Sequence, residues 1–221
     1  MKPNRDVAIQ LAIREIPSLV HNTALLENVN FTLPEIQTLL DGVTVGGHKL
    51  SDQTMVLHQN KAWRFLIEQL KSKKFVFNKD TALKLHSIAG AEEALEWGCF
   101  RSGSVTIAGS NHIPCEAKNL DAQWKYMEEQ VAQIIDVYDR ATTVYLEIAY
   151  NQFFWDTNKR TGRLLMNGII LDAGFPLINV PALKQAEFNN LMLDYYESHD
   201  YKPMNEFLRG CIHPKILENF S

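Results

Sequence analysis

Basic excess, cysteine and long apolar runs are all scarce in this chain. Lysine and arginine number 22 against 26 aspartates and glutamates, a net charge of −4 at neutral pH. That balance excludes a nonspecific nucleic-acid surface, which needs surplus cations to collect phosphates. The three cysteines, Cys99, Cys115 and Cys211, are odd in number and far apart. They read as reduced thiols of a cytoplasmic protein rather than a disulfide framework. No Cys or His pair has zinc-ligand spacing. No apolar run reaches membrane-spanning length, so no membrane partner is expected. The opening residues MKPNRDVAIQ lack the apolar segment and small-residue cleavage site of a secretory leader.

Core-forming material is plentiful, with 46% of the 221 residues hydrophobic. This length suits one domain with an appendage, or two small domains. Apolar residues recur at helical spacing from Val7 to Ile16, where Pro17 interrupts them and can open a second helix ending near Asn28. Thr32 and Glu35, with Pro34 between them, form a capping box for a helix that stops at Gly42. Helical spacing returns from Ser51 to Leu70 and from Asp80 to Ile88. The texture then changes in FRSGSVTIAGSNHIP, from Phe100 to Pro114. Its β-branched Val105, Thr106 and Ile107, followed by Gly109, predict the chain's one β-hairpin. From Trp124 to Ile148 the apolar positions trace a single long amphipathic helix. The helix after Arg160 is apolar almost all round, as a central buried helix would be. Two more helices, near 182–196 and 203–208, complete a mainly α fold with one small hairpin.

The stretch Gln152 to Arg163, QFFWDTNKRTGR, joins the long helix to the buried one. It gathers one carboxylate, one amide and three cations around a helix N-terminus, where free N–H groups and the helix dipole favour phosphate. Asp156 can ligate Mg²⁺ or cap the helix. Asn158 can donate to a phosphate oxygen or hold a turn. Arg160 and Arg163, one turn apart, can grip successive phosphates with planar forks. His86 and His112 read as structural histidines.

These residues resemble the signature of Fic (Fido) domains, HxFx[D/E]GNGRxxR, with the register set by Phe154, Asp156, Asn158, Arg160 and Arg163. The similarity extends over roughly residues 80–208, leaving residues 1–79 as an N-terminal helical extension before a core of residues 80–221. It implies a Fic-type helical bundle that uses ATP and Mg²⁺ to transfer AMP to hydroxyls of target proteins. The nucleotide would be held by Thr157, Asn158, Lys159, Arg160, Thr161, Gly162 and Arg163, and the metal by Asp156. The hairpin would act as a flap pairing edge-on with an extended target segment.

Two positions depart from the signature. The family's proton-abstracting His falls on Gln152, and a carboxamide is no base at neutral pH; a positioned base contributes about 10²–10⁴ in rate. Lys159 stands where the family has its second glycine. The resulting NKRT resembles the Doc branch, whose members phosphorylate their targets. Upstream, Thr23 to Asn28 (TALLEN) resembles the family's inhibitory motif, [S/T]xxxE[G/N], which implies Glu27 pairing with Arg163 and blocking the γ-phosphate. The resemblance thus implies an autoinhibited adenylyltransferase impaired at Gln152. The alternatives are a nucleotide-binding pseudoenzyme or interaction module, and a Doc-like phosphotransferase.

Overall fold

The computed structural model describes residues 1–220. Among them are ten α-helices and no strand. Helix α1 spans Arg5–Leu26, opened by the Asn4 side chain accepting from Val7 N at 3.2 Å. Pro17 lies inside it, so the expected break there does not occur. The missing N–H costs about 3 kcal/mol. One buried stripe of Ile9, Ala12, Ile16, Leu19, Val20 and Ala24 runs through the proline, and burying it offsets that cost. Helix α2 (Leu33–Leu40) starts with the Thr32–Glu35 capping box; α3 (Leu50–Lys71) and α4 (Lys79–Ala89) follow.

The single long helix expected after the flap is two helices, α5 (Leu120–Ala132) and α6 (Val137–Asn151). The break comes where Asp136 caps α6 by accepting from Asp139 N at 2.9 Å. Ile135 continues the apolar spacing but is 95% exposed. A satisfied cap decides the boundary there over one more apolar position.

Helix α7 (Asn158–Asp172) is the central element, with every residue from Arg160 to Leu171 buried. It packs on α1, α3, α4 and, most extensively, α6. Gly162 permits this closeness: a Cβ there would lie 3.0 Å from Tyr145 Cδ2 and 3.3 Å from the Tyr145 carbonyl oxygen. Helices α8 (Gln185–Ser198), α9 (Lys202–Arg209) and α10 (Pro214–Leu217) close the fold. One hydrophobic core runs from Ala8 to Phe220, so α1–α3 share it with α7.

The expected β-hairpin is absent. A turn does form at its predicted tip, with Ser110 N donating to Ile107 O at 3.2 Å and Gly109 at φ +81°. Its arms do not pair. The Arg101 guanidinium donates to the carbonyls of Gly103, Cys115, Gln152 and Asn151. Glu197 of α8 accepts from Ser110 Oγ at 3.1 Å and Asn111 N at 3.2 Å. These side chains meet polar groups at the base and near the tip of the arms, and the backbone of residues 104–108 between them has no cross-arm partner.

Candidate functional site

Two left-handed residues bracket the turn between α6 and α7. Gln152, at φ +49°, ends α6; Thr157, at φ +62°, precedes α7. A β-branched residue there is strained. The surroundings hold it: Thr157 Oγ1 accepts from Arg160 Nη2 at 2.9 Å, and Thr157 N–H donates to the Asp156 carboxylate. Asp156 therefore does not cap α7. It stays exposed with its second oxygen unclaimed.

The Asn158 side chain folds back onto the turn. Its Oδ1 accepts from Phe154 N at 2.9 Å, and its Nδ2 donates to Phe154 O at 2.8 Å and to Gln152 Oε1 at 2.9 Å. Gln152 Nε2 in turn donates to Ala149 O at 2.5 Å. Both ends of the Gln152 amide are therefore used, and it acts as a strut between α6 and α7. In α7 the first N–H with an intrachain carbonyl is that of Thr161, to Thr157 O at 2.9 Å. The N–H groups ahead of it are the usual unpaired donors of a helix start.

Both arginines already face carboxylates. Arg163 Nη2 donates to Glu27 Oε1 at 2.9 Å, while Arg163 Nε and Nη1 are buried without a partner. Arg160 forks onto Glu93, Nη1 to Oε1 at 3.0 Å and Nη2 to Oε2 at 2.8 Å. Burial pushes the Glu27 carboxyl up, but Arg163, then Lys159 and Arg160, more than reverse this and leave it below the usual range. Burial likewise works against the Arg160 charge, and the Glu93 fork more than restores it. Thr161 is fully buried, its hydroxyl unpartnered, and Gly162 is packed on α6.

His86 fastens the turn from below. Its Nδ1 accepts from Gly98 N at 3.1 Å, which puts the proton on Nε2, 3.2 Å from the Asp156 carbonyl. The ring stacks on Phe154 at 3.9 Å. Burial lowers its pKa to about 4, so it is neutral at physiological pH. His112 bonds the Tyr150 carbonyl at 3.0 Å and stacks on the Tyr150 ring. Neither ring points to a base role.

A groove of about 400 Å³ opens beside the turn, lined by Gln152 and Lys159, by Thr106, Ile107 and Ala108, and by α8 between Asn189 and Tyr196. The segment expected to act as a flap thus faces the signature turn. Among the described residues, Lys159 is the only signature cation without an ion pair. No cluster of three or more His, Cys, Asp or Glu side chains that could hold a metal occurs among the described residues. The donor set still suits Mg²⁺, which takes one carboxylate and completes its shell with water and phosphate oxygens. The exposed Asp156 would supply that carboxylate.

Sequence reasoning missed Glu93, Arg101 and Glu96. Glu96 Oε2 accepts from Trp155 Nε1 at 2.8 Å and from Ser102 Oγ at 3.0 Å. Arg101 at the head of the loop, beside Gly103, was the one local hint. A Cβ at Gly103 would lie 2.6 Å from Trp155.

Residues 76–170 match the Fic/DOC family. The chain is 25% identical to a protein adenylyltransferase Fic of Nematostella vectensis, covering 97% of this chain and 48% of that protein. It is 23% identical to one of Drosophila mojavensis, over 87% of this chain and 39% of that protein. The chain thus spans less than half the length of these curated relatives. The solved structure of Fic-1 from C. elegans has the same fold, with a TM-score of 0.81 at 22% identity, over 94% of this chain and 64% of that one.

Proposed function

Because this chain carries a Fic/DOC family domain, we propose that it binds a magnesium nucleoside triphosphate and is a protein adenylyltransferase by descent, autoinhibited by Glu27 and short of its general base. The observation that carries this reading is the pair Arg160 and Arg163 on the first turn of α7, each already neutralised by a carboxylate. A buried guanidinium facing an anion at a helix N-terminus is a phosphate receptor with a surrogate in place. Asp156 would hold Mg²⁺, which neutralises polyphosphate charge when bound. Residues 1–79 act as the regulatory extension, delivering Glu27 from the end of α1.

In the reaction, a target hydroxyl oxygen forms a bond to the α-phosphorus of ATP while the bond to pyrophosphate breaks, and the hydroxyl proton needs an acceptor. Gln152 cannot accept it. Positioning and charge stabilisation still lower the barrier in such transfers, so turnover is slow rather than absent. The groove facing residues 106–108 receives the target segment, whose backbone can pair with this unpaired extended stretch. A second reading, a nucleotide-binding pseudoenzyme, is favoured by one observation: both ends of the Gln152 amide serve the fold. Lys159 on the groove wall is what favours a Doc-like phosphotransferase.

The test is AMP incorporation from labelled ATP by Glu27→Gly protein, with and without Gln152→His. If a base is the only deficit, the added imidazole raises the rate by about 10²–10⁴. The gain must vanish with Asp156→Ala. No gain, with nucleotide still bound, selects the pseudoenzyme. Phosphate rather than AMP on the product selects the Doc-like reading.

A further inference from the structure

The segment between α4 and the facing loop, residues 90–98, has no role in the reading above, yet it touches the signature turn three times. Gly98 N–H reaches it through His86 and the Asp156 carbonyl. Glu96 holds Trp155 at the rim. The third contact is the Glu93 fork on Arg160, with the Arg160 side chain 6% and the Glu93 side chain 23% exposed. Both terminal nitrogens of Arg160 are engaged by Glu93, and Nη2 also by Thr157.

We propose that Glu93 is a second anion lock on the cradle, so that a nucleoside triphosphate engages Arg160 only after residues 90–98 lift the carboxylate away. The inference rests on the nucleotide reading of the site. A carboxylate and a phosphate cannot share one guanidinium fork, because both are anions competing for the same two N–H vectors. The segment is tied at these three points but lightly packed. It consists of turns, Ala94 is its one buried side chain beyond Gly90, and Leu95 and Trp97 are 74% and 48% exposed. Few buried apolar contacts make local opening cheap. It is bounded by Gly90 at the end of α4 and by Gly98 at φ +75°.

Glu27 approaches from the end of α1 and Glu93 from beyond α4, so the two locks belong to different elements and grip different arginines. Each reduces apparent affinity by the fraction of time its arginine is free. A structural role alone predicts the opposite sign: if Glu93 only neutralised a buried cation and held its orientation, removing the charge would weaken phosphate binding.

Calorimetry with Mg-ATP on Glu27→Gly protein, with and without Glu93→Gln, separates these. The lock predicts about tenfold tighter binding on adding Glu93→Gln, and no such gain when Arg160 is already Ala. Equal or weaker binding overturns it. Amide exchange of residues 91–98 in the Glu27→Gly protein provides a readout that needs no change at Glu93. Faster exchange on adding Mg-ATP is expected, and unchanged or slower exchange overturns the lock. Absence of Mg-ATP binding by Glu27→Gly protein sinks the nucleotide reading and the lock together. Binding there without a gain from Glu93→Gln sinks the lock alone.

Discussion

Two of the three segments that line the groove, the third being α8, are opposite in character. The signature wall, residues 152–163, is fastened along its length: Gln152, Asn158, Thr157 and both arginines each bond another group of the chain. The facing wall, residues 101–114, is fastened at its base by Arg101 and near its tip by Glu197. Between these points, residues 102–108 alternate between exposed and half-buried like a strand, with no partner strand. Under the proposed function, the first would be preorganised for phosphate and the second would keep its backbone free for a target.

The largest way to break that contrast is to cut the facing wall at its base. Arg101 is buried and serves four carbonyls. Arg101→Ala leaves them without their donor and costs about 4 kcal/mol of local stability. Two of those carbonyls, of Asn151 and Gln152, adjoin the signature turn, so amide exchange over residues 101–115 should quicken and target modification should fall further than Mg-ATP affinity. Equal loss of nucleotide binding would mean that the two walls are not separable.

A smaller effect sharpens the contrast from the signature side. His86 has a lowered pKa of about 4 against 6.5 when unperturbed, through burial. Between these values the unfolded chain binds the proton and the folded one does not. Its contribution is therefore complete above pH 6.5 and is lost as pH falls towards 4. The loss is about 3 kcal/mol. Urea midpoints measured across that range should fall more steeply for the parent than for His86→Gln. Parallel curves would mean that the ring is not held neutral by the fold.

The same contrast explains what could be read from the sequence. The signature turn was legible because five residues at fixed spacing carry it, and α7 because an all-round apolar helix has to be central. The capping box at Thr32 likewise specifies its own helix start. The hairpin reading failed because β-branched residues specify an extended chain, not a partner; the extension is present and the ladder is not. Ile135 extended an apolar stripe by one position, but the Asp136 cap overrode it. Pro17 marked a break that packing closed over. Glu93 was illegible for a different reason. In GAEEALEW nothing local distinguishes which carboxylate will meet an arginine 67 residues away.

The central claim, that α7 presents a phosphate cradle closed by Glu27, is tested most directly by titrating Mg-ATP into four folded proteins: parent, Glu27→Gly, Arg163→Ala, and the double variant. Removing Glu27 should tighten binding by about 10-fold or more when Arg163 is present. It should change little when Arg163 is already Ala, because the contested cation is gone. No binding by Glu27→Gly protein at millimolar Mg-ATP, or strictly additive effects of the two substitutions, would contradict the account.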